Sequence, residues 1–350
     1  MSGTTIPRAP WVRPWRLLVV SALIFIPPAP AQDDSTIKVN VRLVRILATV
    51  KDAAGSLVGG LSKDAFEVSD NGAPQQISVF ERQTDQPLSV AILIDNSGST
   101  AKDLKYETDS VTRFVRALLR EGNPDDSVAL FSFNWEVVQR NRFTRDPSQI
   151  ERSLRNLHGE AGTALYDAVL LVSREIEDRQ GRKIIVVVTD GGDTVSKADF
   201  NRATEAAQIA DAVIYPILVV PITNDAGRNV GGENALTTFA QRTGGRVFSP
   251  TLGTEMDRAF DQILRDLRTQ YLLGFYPKDV PLSKNRYHTL QVGLRVPELH
   301  AIARSGYYGE ALQDAAPAYA GSSTGPGGPV QGGETVRPKK PVPPKKTKGP

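Results

Sequence analysis

The chain has no cysteine and only three histidines, His158, His288 and His300. The lack of cysteine excludes a disulfide scaffold, an iron–sulfur cluster, a thiolate zinc site, a catalytic thiol and a lipid-modified cysteine anchor. The histidines do not have HExxH spacing, which excludes that class of zinc protease. The sequence also has no GxGxxG or Walker motif and no apparent Ser/His/Asp set, so we expect a binding protein rather than an enzyme.

Nucleic acid is not an expected partner, although the isoelectric point of 9.0 and the net charge of +3 suggest a basic protein. Of the 42 basic residues, three lie in residues 1–31 and six in residues 337–350, and neither segment contains an acid. The residues between them carry the remaining 33 basic groups and all 39 acids, a net charge of −6. The part of the chain that is expected to fold is therefore acidic, which disfavours a polyanionic ligand.

Residues 1–31 are predicted to be a secretory signal peptide. Three arginines precede the apolar run Leu17–Ile26, and Ala29-Pro30-Ala31 has the small–x–small pattern of a cleavage site after Ala31. The alternative is an uncleaved anchor, but this run is too short to cross ~30 Å of hydrocarbon. No other stretch approaches 18 apolar residues, so we expect a secreted or periplasmic chain without a transmembrane helix.

Residues 311–350 are predicted to be a disordered tail. They are rich in alanine, glycine, serine and proline and end in a Lys/Pro segment, a composition that buries too little apolar surface to order the chain. The tail either keeps the protein soluble or contacts polyanionic components of the cell envelope.

Residues 87–270 are predicted to form an α/β domain. Apolar runs typical of buried strands occur at Leu88–Ile94, Ser127–Phe133, Lys183–Thr189 and Val213–Val220, with shorter strands predicted at Trp135–Gln139 and Arg246–Ser249. Helical patterns lie between them, near 103–121, 150–157, 164–177, 197–211, 233–242 and 255–268. This alternation is typical of a doubly wound, mostly parallel sheet.

Polar loops follow the apolar runs at the edge of the sheet where such folds bind ligands. Asp95-Asn96-Ser97-Gly98-Ser99 follows the first run, Asp190 follows the third, and Gly162-Thr163 precedes a helix. Two carboxylates and three hydroxyls are hard oxygen ligands that suit Mg²⁺, Ca²⁺ or Mn²⁺. The alternative is that these residues only cap the helices that follow.

The D-x-S-x-S sequence, the later threonine that opens a helix and the aspartate that ends a strand resemble the metal-ion-dependent adhesion site of von Willebrand factor A domains. The resemblance implies that Ser97, Ser99 and Thr163 bind the cation directly, while Asp95 and Asp190 act largely through water. It also implies an open position for a carboxylate from a protein partner. Asp167 and Asp193 are assigned a supporting or capping role.

Residues 32–86 and 271–310 are predicted to form β-strands of a second unit. Strands are expected at Ile37–Val50, Ala65–Ser69, Gln76–Glu81, Tyr271–Tyr276, Tyr287–Val296 and Ala301–Tyr308, and Asp70-Asn71-Gly72 is a hairpin signal. Neither group has enough strands for a core of its own. We therefore predict one small antiparallel β-sandwich into which the α/β domain is inserted.

This arrangement resembles the secreted, von Willebrand factor A-related proteins of Acidobacteria and similar bacteria. The likeness depends on the G-L-S-K-D-A-F-E-V-S-D-N-G-A-P-Q-Q-I stretch at 60–77 and on Tyr271-Leu272-Leu273-Gly274-Phe275-Tyr276. Two functions stay open at this point: a cation-dependent adhesion-type module, or an envelope scaffold or assembly factor that binds through the β-sandwich while the metal is only structural.

Overall fold

The computed structural model describes residues 43–82, 86–100, 103–219, 229–251, 253–281 and 286–309. The predicted signal peptide and the predicted tail from residue 311 lie outside this part of the chain. Within it, no helix is both long enough and apolar enough to cross a membrane.

Strands and helices alternate through the middle of the described chain, and strands alone flank this region. The strands are β1 (Val44–Lys51), β2 (Phe66–Asp70), β3 (Ala73–Gln75), β4 (Val79–Arg82), β5 (Leu88–Asp95), β6 (Ser127–Phe133), β7 (Val137–Thr144), β8 (Arg182–Thr189), β9 (Ala212–Leu218), β10 (Tyr271–Phe275), β11 (Tyr287–Leu294), β12 (His300–Ala303) and β13 (Gly306–Tyr308). The helices are α1 (Leu104–Glu121), α2 (Pro147–Arg155), α3 (Leu165–Ile176), α4 (Phe200–Ile209), α5 (Val230–Thr243) and α6 (Thr254–Thr269).

The central sheet has the strand order β7-β6-β5-β8-β9, and all its strands are parallel except the edge strand β7. Every residue of β5, β6 and β9 is buried, as expected for strands that are covered on both faces. This sheet confirms the predicted α/β architecture. The predicted strand at Arg246–Ser249 is wrong: it is reduced to a single parallel bridge between Phe248 and Ile217.

Helices cover both faces of the central sheet. On one face α1 and α6 pack against it, with the rings of Phe114 and Phe260 4.8 Å apart. On the other face, residues of α3, α4 and α5 share a second apolar cluster that includes Leu165, Ala203 and Leu236. Because β5, β6, β8 and β9 run in the same direction, their carboxyl ends lie at the same edge of the sheet.

Two four-stranded antiparallel sheets are built from the segments that flank the central domain. Their orders are β12-β1-β10-β4 and β13-β11-β2-β3, so each combines strands from before and after that domain. Residues of both sheets, among them Ile46, Phe66, Tyr271 and Leu290, belong to one apolar cluster. That these sheets act as one β-sandwich domain with the central domain inserted stays a prediction.

The strand boundaries in the flanking sheets differ from the predicted ones at two places. The hairpin turn at Asn71-Gly72 is present, with φ of 47° and 82°, but its second strand is Ala73–Gln75, and the chain then crosses to β4 in the other sheet. The single strand predicted at Ala301–Tyr308 is two strands, β12 and β13, one in each sheet. The part of Ile37–Val50 before residue 43 lies outside the described residues.

Candidate metal centre

Hydrogen bonds hold the polar loops together at the carboxyl edge of the central sheet. Asp95 ends β5 and Thr189 ends the neighbouring β8, and the Thr189 hydroxyl donates to Asp95 Oδ2 over 2.5 Å. The loop after β8 contacts the loop before α3, because Thr163 N donates to Thr194 Oγ1 (2.9 Å) and Thr194 N donates to Thr163 O (2.8 Å). Residues that are far apart in sequence therefore meet at one edge.

Asp95 is fully buried as the last residue of β5, not in a loop. Its Oδ1 accepts from Ser97 N over 2.8 Å. Burial raises the pKa of Asp95 to about 6, while the hydrogen bonds from Thr189 and Ser97 act in the opposite direction and the charge of Asp190 adds to the rise. A nearby cation would stabilise the charged form of this buried carboxylate.

Ser97 and Ser99 present adjacent hydroxyls. Their Oγ atoms are 3.0 Å apart; Ser97 is 2% exposed and Ser99 is exposed. Thr100 fixes the turn, since its hydroxyl contacts both Asp95 O (2.9 Å) and Ser97 O (3.0 Å). The D-x-S-x-S sequence therefore forms a compact turn in which two hydroxyl oxygens lie next to a carboxylate.

The other predicted ligands belong to the neighbouring loops. Thr163 is buried immediately before α3, and Asp190 is half-buried immediately after β8. Asp190 is close enough to influence Asp95, since its charge contributes to the raised pKa there. The structure thus joins Asp95, Ser97 and Ser99 by direct hydrogen bonds and brings Thr163 and Asp190 to the same edge through their loops.

Asp167 and Asp193 hold two loops together. Asp193 Oδ1 accepts from Tyr166 N (3.1 Å) and from the Ser196 hydroxyl (2.5 Å). Asp167 accepts from the backbone N–H groups of Lys197 (3.0 Å) and Ala198 (2.8 Å). Both carboxylates are used by backbone and hydroxyl donors, which agrees with the supporting role expected for them.

The donor set fits a hard divalent cation that binds hydroxyl oxygens. Among the described residues no three histidine, aspartate or glutamate side chains lie close enough to hold a metal on their own. Ser97, Ser99 and Thr163 add hydroxyl oxygens of the kind that such cations accept as ligands.

Glu107 is the residue near this edge that sequence reasoning missed. It is fully buried on α1, and neither carboxylate oxygen has a hydrogen-bond partner. Burial first, and then the charges of Asp95, Asp103 and Asp190, raise its pKa to about 9. A signal was available, because Glu107 lies four residues before Val111 and so extends the apolar stripe of the helix.

A cavity of about 310 Å³ lies at the opposite, amino-terminal edge of the central sheet. Its lining includes Arg45, Arg182, Asp211 and Arg304, and none of the predicted site residues. It is therefore separate from the cluster around Asp95.

A family model described as "von Willebrand factor type A domain" matches residues 90–192, which include all five predicted metal ligands. The match lies within the central α/β unit and supports the predicted resemblance to this domain family over those residues. No curated protein matches the chain.

Several solved structures are similar to about half of this chain. The vWF domain of the type V pili tip protein Mfa5 from Porphyromonas gingivalis is 17% identical, covers 52% of this chain and 95% of its own, and has a TM-score of 0.44. The conserved hypothetical protein BatB from Bacteroides thetaiotaomicron is 20% identical, with coverages of 51% and 98% and a TM-score of 0.42. The PilB minor pilin from Streptococcus sanguinis is 14% identical, with coverages of 53% and 62% and a TM-score of 0.42.

Proposed function

We propose that the protein is an exported, non-enzymatic module that binds a protein partner through a divalent cation at the carboxyl edge of the A domain. The observation that carries this proposal is the pair of hydroxyls of Ser97 and Ser99, 3.0 Å apart and backed by the buried carboxylate of Asp95. Hydroxyl oxygens and a carboxylate at the carboxyl edge of a parallel sheet are ligands that suit a hard divalent cation.

In this proposal Ser97, Ser99 and Thr163 bind the cation directly, and Asp95 and Asp190 hold its water ligands. Mg²⁺ is the expected ion, with Ca²⁺ and Mn²⁺ as the ions of similar chemistry. When bound, the cation supplies unneutralised attraction for one further anionic oxygen, which an aspartate or glutamate of the partner provides. The protein's own residues fix the position of the cation and leave the outer side of the site open.

Exposed apolar side chains around this edge favour a protein as the partner. Tyr106, Trp135, Val195 and Val230 are between 46% and 60% exposed. Tyr106 lies in the first turn of α1, Val230 begins α5, and Trp135 and Val195 follow the carboxyl ends of β6 and β8. Large exposed apolar groups around a charged centre are typical of protein interfaces.

Export belongs to the proposal as well. It depends on the signal sequence at residues 1–31, with cleavage after Ala31, and places the A domain in the periplasm or outside the cell. The basic tail then has access to polyanionic envelope components.

Capture of a partner in the presence and absence of Mg²⁺ tests the proposal. The full mature chain and its Asp95→Asn variant are immobilised, exposed to an envelope extract of the native organism with Mg²⁺ or with EDTA, and the retained proteins are identified. We expect a protein that is retained only by the wild-type chain and only with Mg²⁺. In EDTA the chain is expected to stay folded, with a melting temperature that is only modestly lower because the bound ion is lost.

Two other outcomes contradict this proposal. Capture that persists in EDTA and with Asp95→Asn, together with a large fall in melting temperature on adding EDTA, supports the scaffold alternative, in which the flanking sheets bind and the metal is structural. Capture that is independent of Mg²⁺ with no effect of EDTA on melting rejects a functional cation altogether.

A further inference from the structure

Glu107 differs from the other buried acids of the described chain. Asp126 accepts from the backbone N–H groups of Leu88 (2.7 Å) and Asn123 (2.8 Å), and Asp266 pairs with Arg246 at 2.7 Å. Asp70 accepts from Tyr307 (2.7 Å) and contacts His288 (2.9 Å), and Asp95 accepts from Ser97 and Thr189. Both oxygens of Glu107 are without a partner, although the residue is fully buried.

Glu107 follows the D-x-S-x-S turn of the candidate metal centre closely in the chain. Helix α1 begins directly after the D-x-S-x-S turn, where Leu104 N donates to Thr100 O over 3.0 Å. Glu107 lies in the first turn of this helix on its buried side, together with Leu104 and Val111. The charges that act most strongly on it are those of Asp95, Asp103 and Asp190, which are all acids.

This arrangement is unfavourable unless a positive charge or a donor completes it. A buried carboxyl group without a partner loses its hydration and gains nothing in return, and like charges nearby add to the cost. A divalent cation with its bound waters provides both the missing positive charge and the missing hydrogen-bond donors. Acidic groups that contact the ligands of a metal, rather than the metal, commonly orient those ligands.

We propose that Glu107 is a positioning residue of the cation site, accepting a hydrogen bond from a water molecule bound to the cation on the inner side of the centre. This inference depends on the cation proposed above. In this role Glu107 acts through water and not as a direct ligand of the cation. The alternative is that Glu107 is an uncharged core residue with no relation to the metal.

Mg²⁺ binding by Glu107→Gln separates these two roles. The substitution keeps the size and shape of the side chain and prevents it from ionising when a cation binds nearby. Calorimetric titration of Mg²⁺ into the full chain is expected to give an affinity about 10- to 100-fold weaker than wild type, the range found when residues that orient metal ligands are replaced. Glu107→Asp keeps the carboxyl group but is one methylene shorter. Its Mg²⁺ affinity is therefore expected to lie between those of wild type and Glu107→Gln.

Asp126→Asn is the matched control. Asp126 is as buried as Glu107 but lies at the opposite edge of the same sheet, where it precedes β6. This variant loses charge in the core without approaching the cation. We expect it to bind Mg²⁺ as tightly as wild type, whatever its effect on folding stability.

Thermal unfolding provides a second readout that does not require a bound partner. Without Mg²⁺ at neutral pH, Glu107→Gln is expected to melt at a higher temperature than wild type. Burial raises the pKa of Glu107 to about 9, so the wild-type carboxyl group must take up a proton on folding, whereas the amide is neutral in both states. Addition of Mg²⁺ is expected to raise the melting temperature of wild type by more than that of the variant.

The outcomes distinguish this inference from the proposed function. If wild type binds Mg²⁺ and both Glu107 variants bind it equally tightly, the role of Glu107 is overturned while the cation site stands. If wild type itself binds no Mg²⁺, the cation site is rejected and the role of Glu107 with it.

Discussion

At the scale of single residues, Asp95 has a structural role besides its proposed charge. Its two oxygens accept from Ser97 N and from the Thr189 hydroxyl, which joins the end of β5 to the turn that follows and to β8. The sequence suggested that Asp95 lies in a polar loop at the edge of the sheet. The buried position in the structure makes truncation costly.

Asp95→Ala is therefore expected to destabilise the metal-free chain. It leaves a buried N–H and a buried hydroxyl without their acceptor, a loss of about 1–3 kcal/mol in the free energy of unfolding. Asp95→Asn keeps one acceptor oxygen and is expected to lose less. Urea unfolding in EDTA measures the free energy of unfolding of both variants. Equal values for Asp95→Ala and wild type would show that these hydrogen bonds contribute nothing to stability.

At the scale of elements, the loop that carries Asp190 depends on close contact with helix α5. A Cβ on Gly232 would lie 1.5 Å from Gly191 O, so the helix approaches this loop at a distance that only glycine allows. The neighbouring Gly231 has room, since its Cβ would meet only Asn229 Oδ1 at 3.4 Å. The start of α5 thus supports the position of Asp190.

Gly232→Ala is expected to lower both stability and Mg²⁺ affinity. The added methyl group displaces the 190–192 loop, and overpacking of this kind costs about 1–3 kcal/mol. Gly231→Ala, one residue earlier in the same helix, is expected to change neither by a comparable amount. Thermal unfolding and Mg²⁺ titration of the pair check this; equal effects of the two substitutions would contradict the account.

The elements also show how far the sequence predicts the fold. The apolar runs locate β5, β6, β8 and β9 because a strand that is covered on both faces needs no alternation of polar and apolar residues. The prediction of one strand at Ala301–Tyr308 is wrong because the chain changes sheets at Arg304 and Ser305. The alternation of polar and apolar residues continues across that change and hides it. The burial of Glu107 was missed because an acidic residue is expected at the surface, although its position on the helix lies on the apolar stripe that packs against the core.

At the scale of the whole molecule, the flanking sheets depend on strands from both ends of the chain. β1 pairs with β10 and β12, β4 pairs with β10, and the β2–β3 hairpin pairs with β11, so each sheet is completed only by strands that follow the central domain. The chain enters the central domain shortly after β4 and passes from α6 to β10 with one intervening residue. This connectivity is the physical basis of the predicted inserted domain.

Fragments of the chain test that connectivity. Residues 87–270 are expected to fold alone, because the central sheet and its helices contain their own core clusters. Residues 32–86 are expected to stay unfolded, because β1 and β4 lack β10 and the β2–β3 hairpin, which lacks β11, is too small to be stable alone. Circular dichroism during heating measures both, and a cooperative transition for the isolated 32–86 fragment would refute the shared sheets.

Titration of Mg²⁺ into the full chain by calorimetry, for wild type and Asp95→Asn, tests the central claim most directly. The variant keeps the shape of the side chain and removes the negative charge closest to the Ser97 and Ser99 hydroxyls. We predict saturable binding to wild type, loss of most of that binding in Asp95→Asn, and a smaller weakening in Ser99→Ala and Thr163→Ala, which each lose one neutral ligand. Equal affinities of wild type and Asp95→Asn would mean that Asp95 only supports the turn, and would contradict the proposed adhesion site.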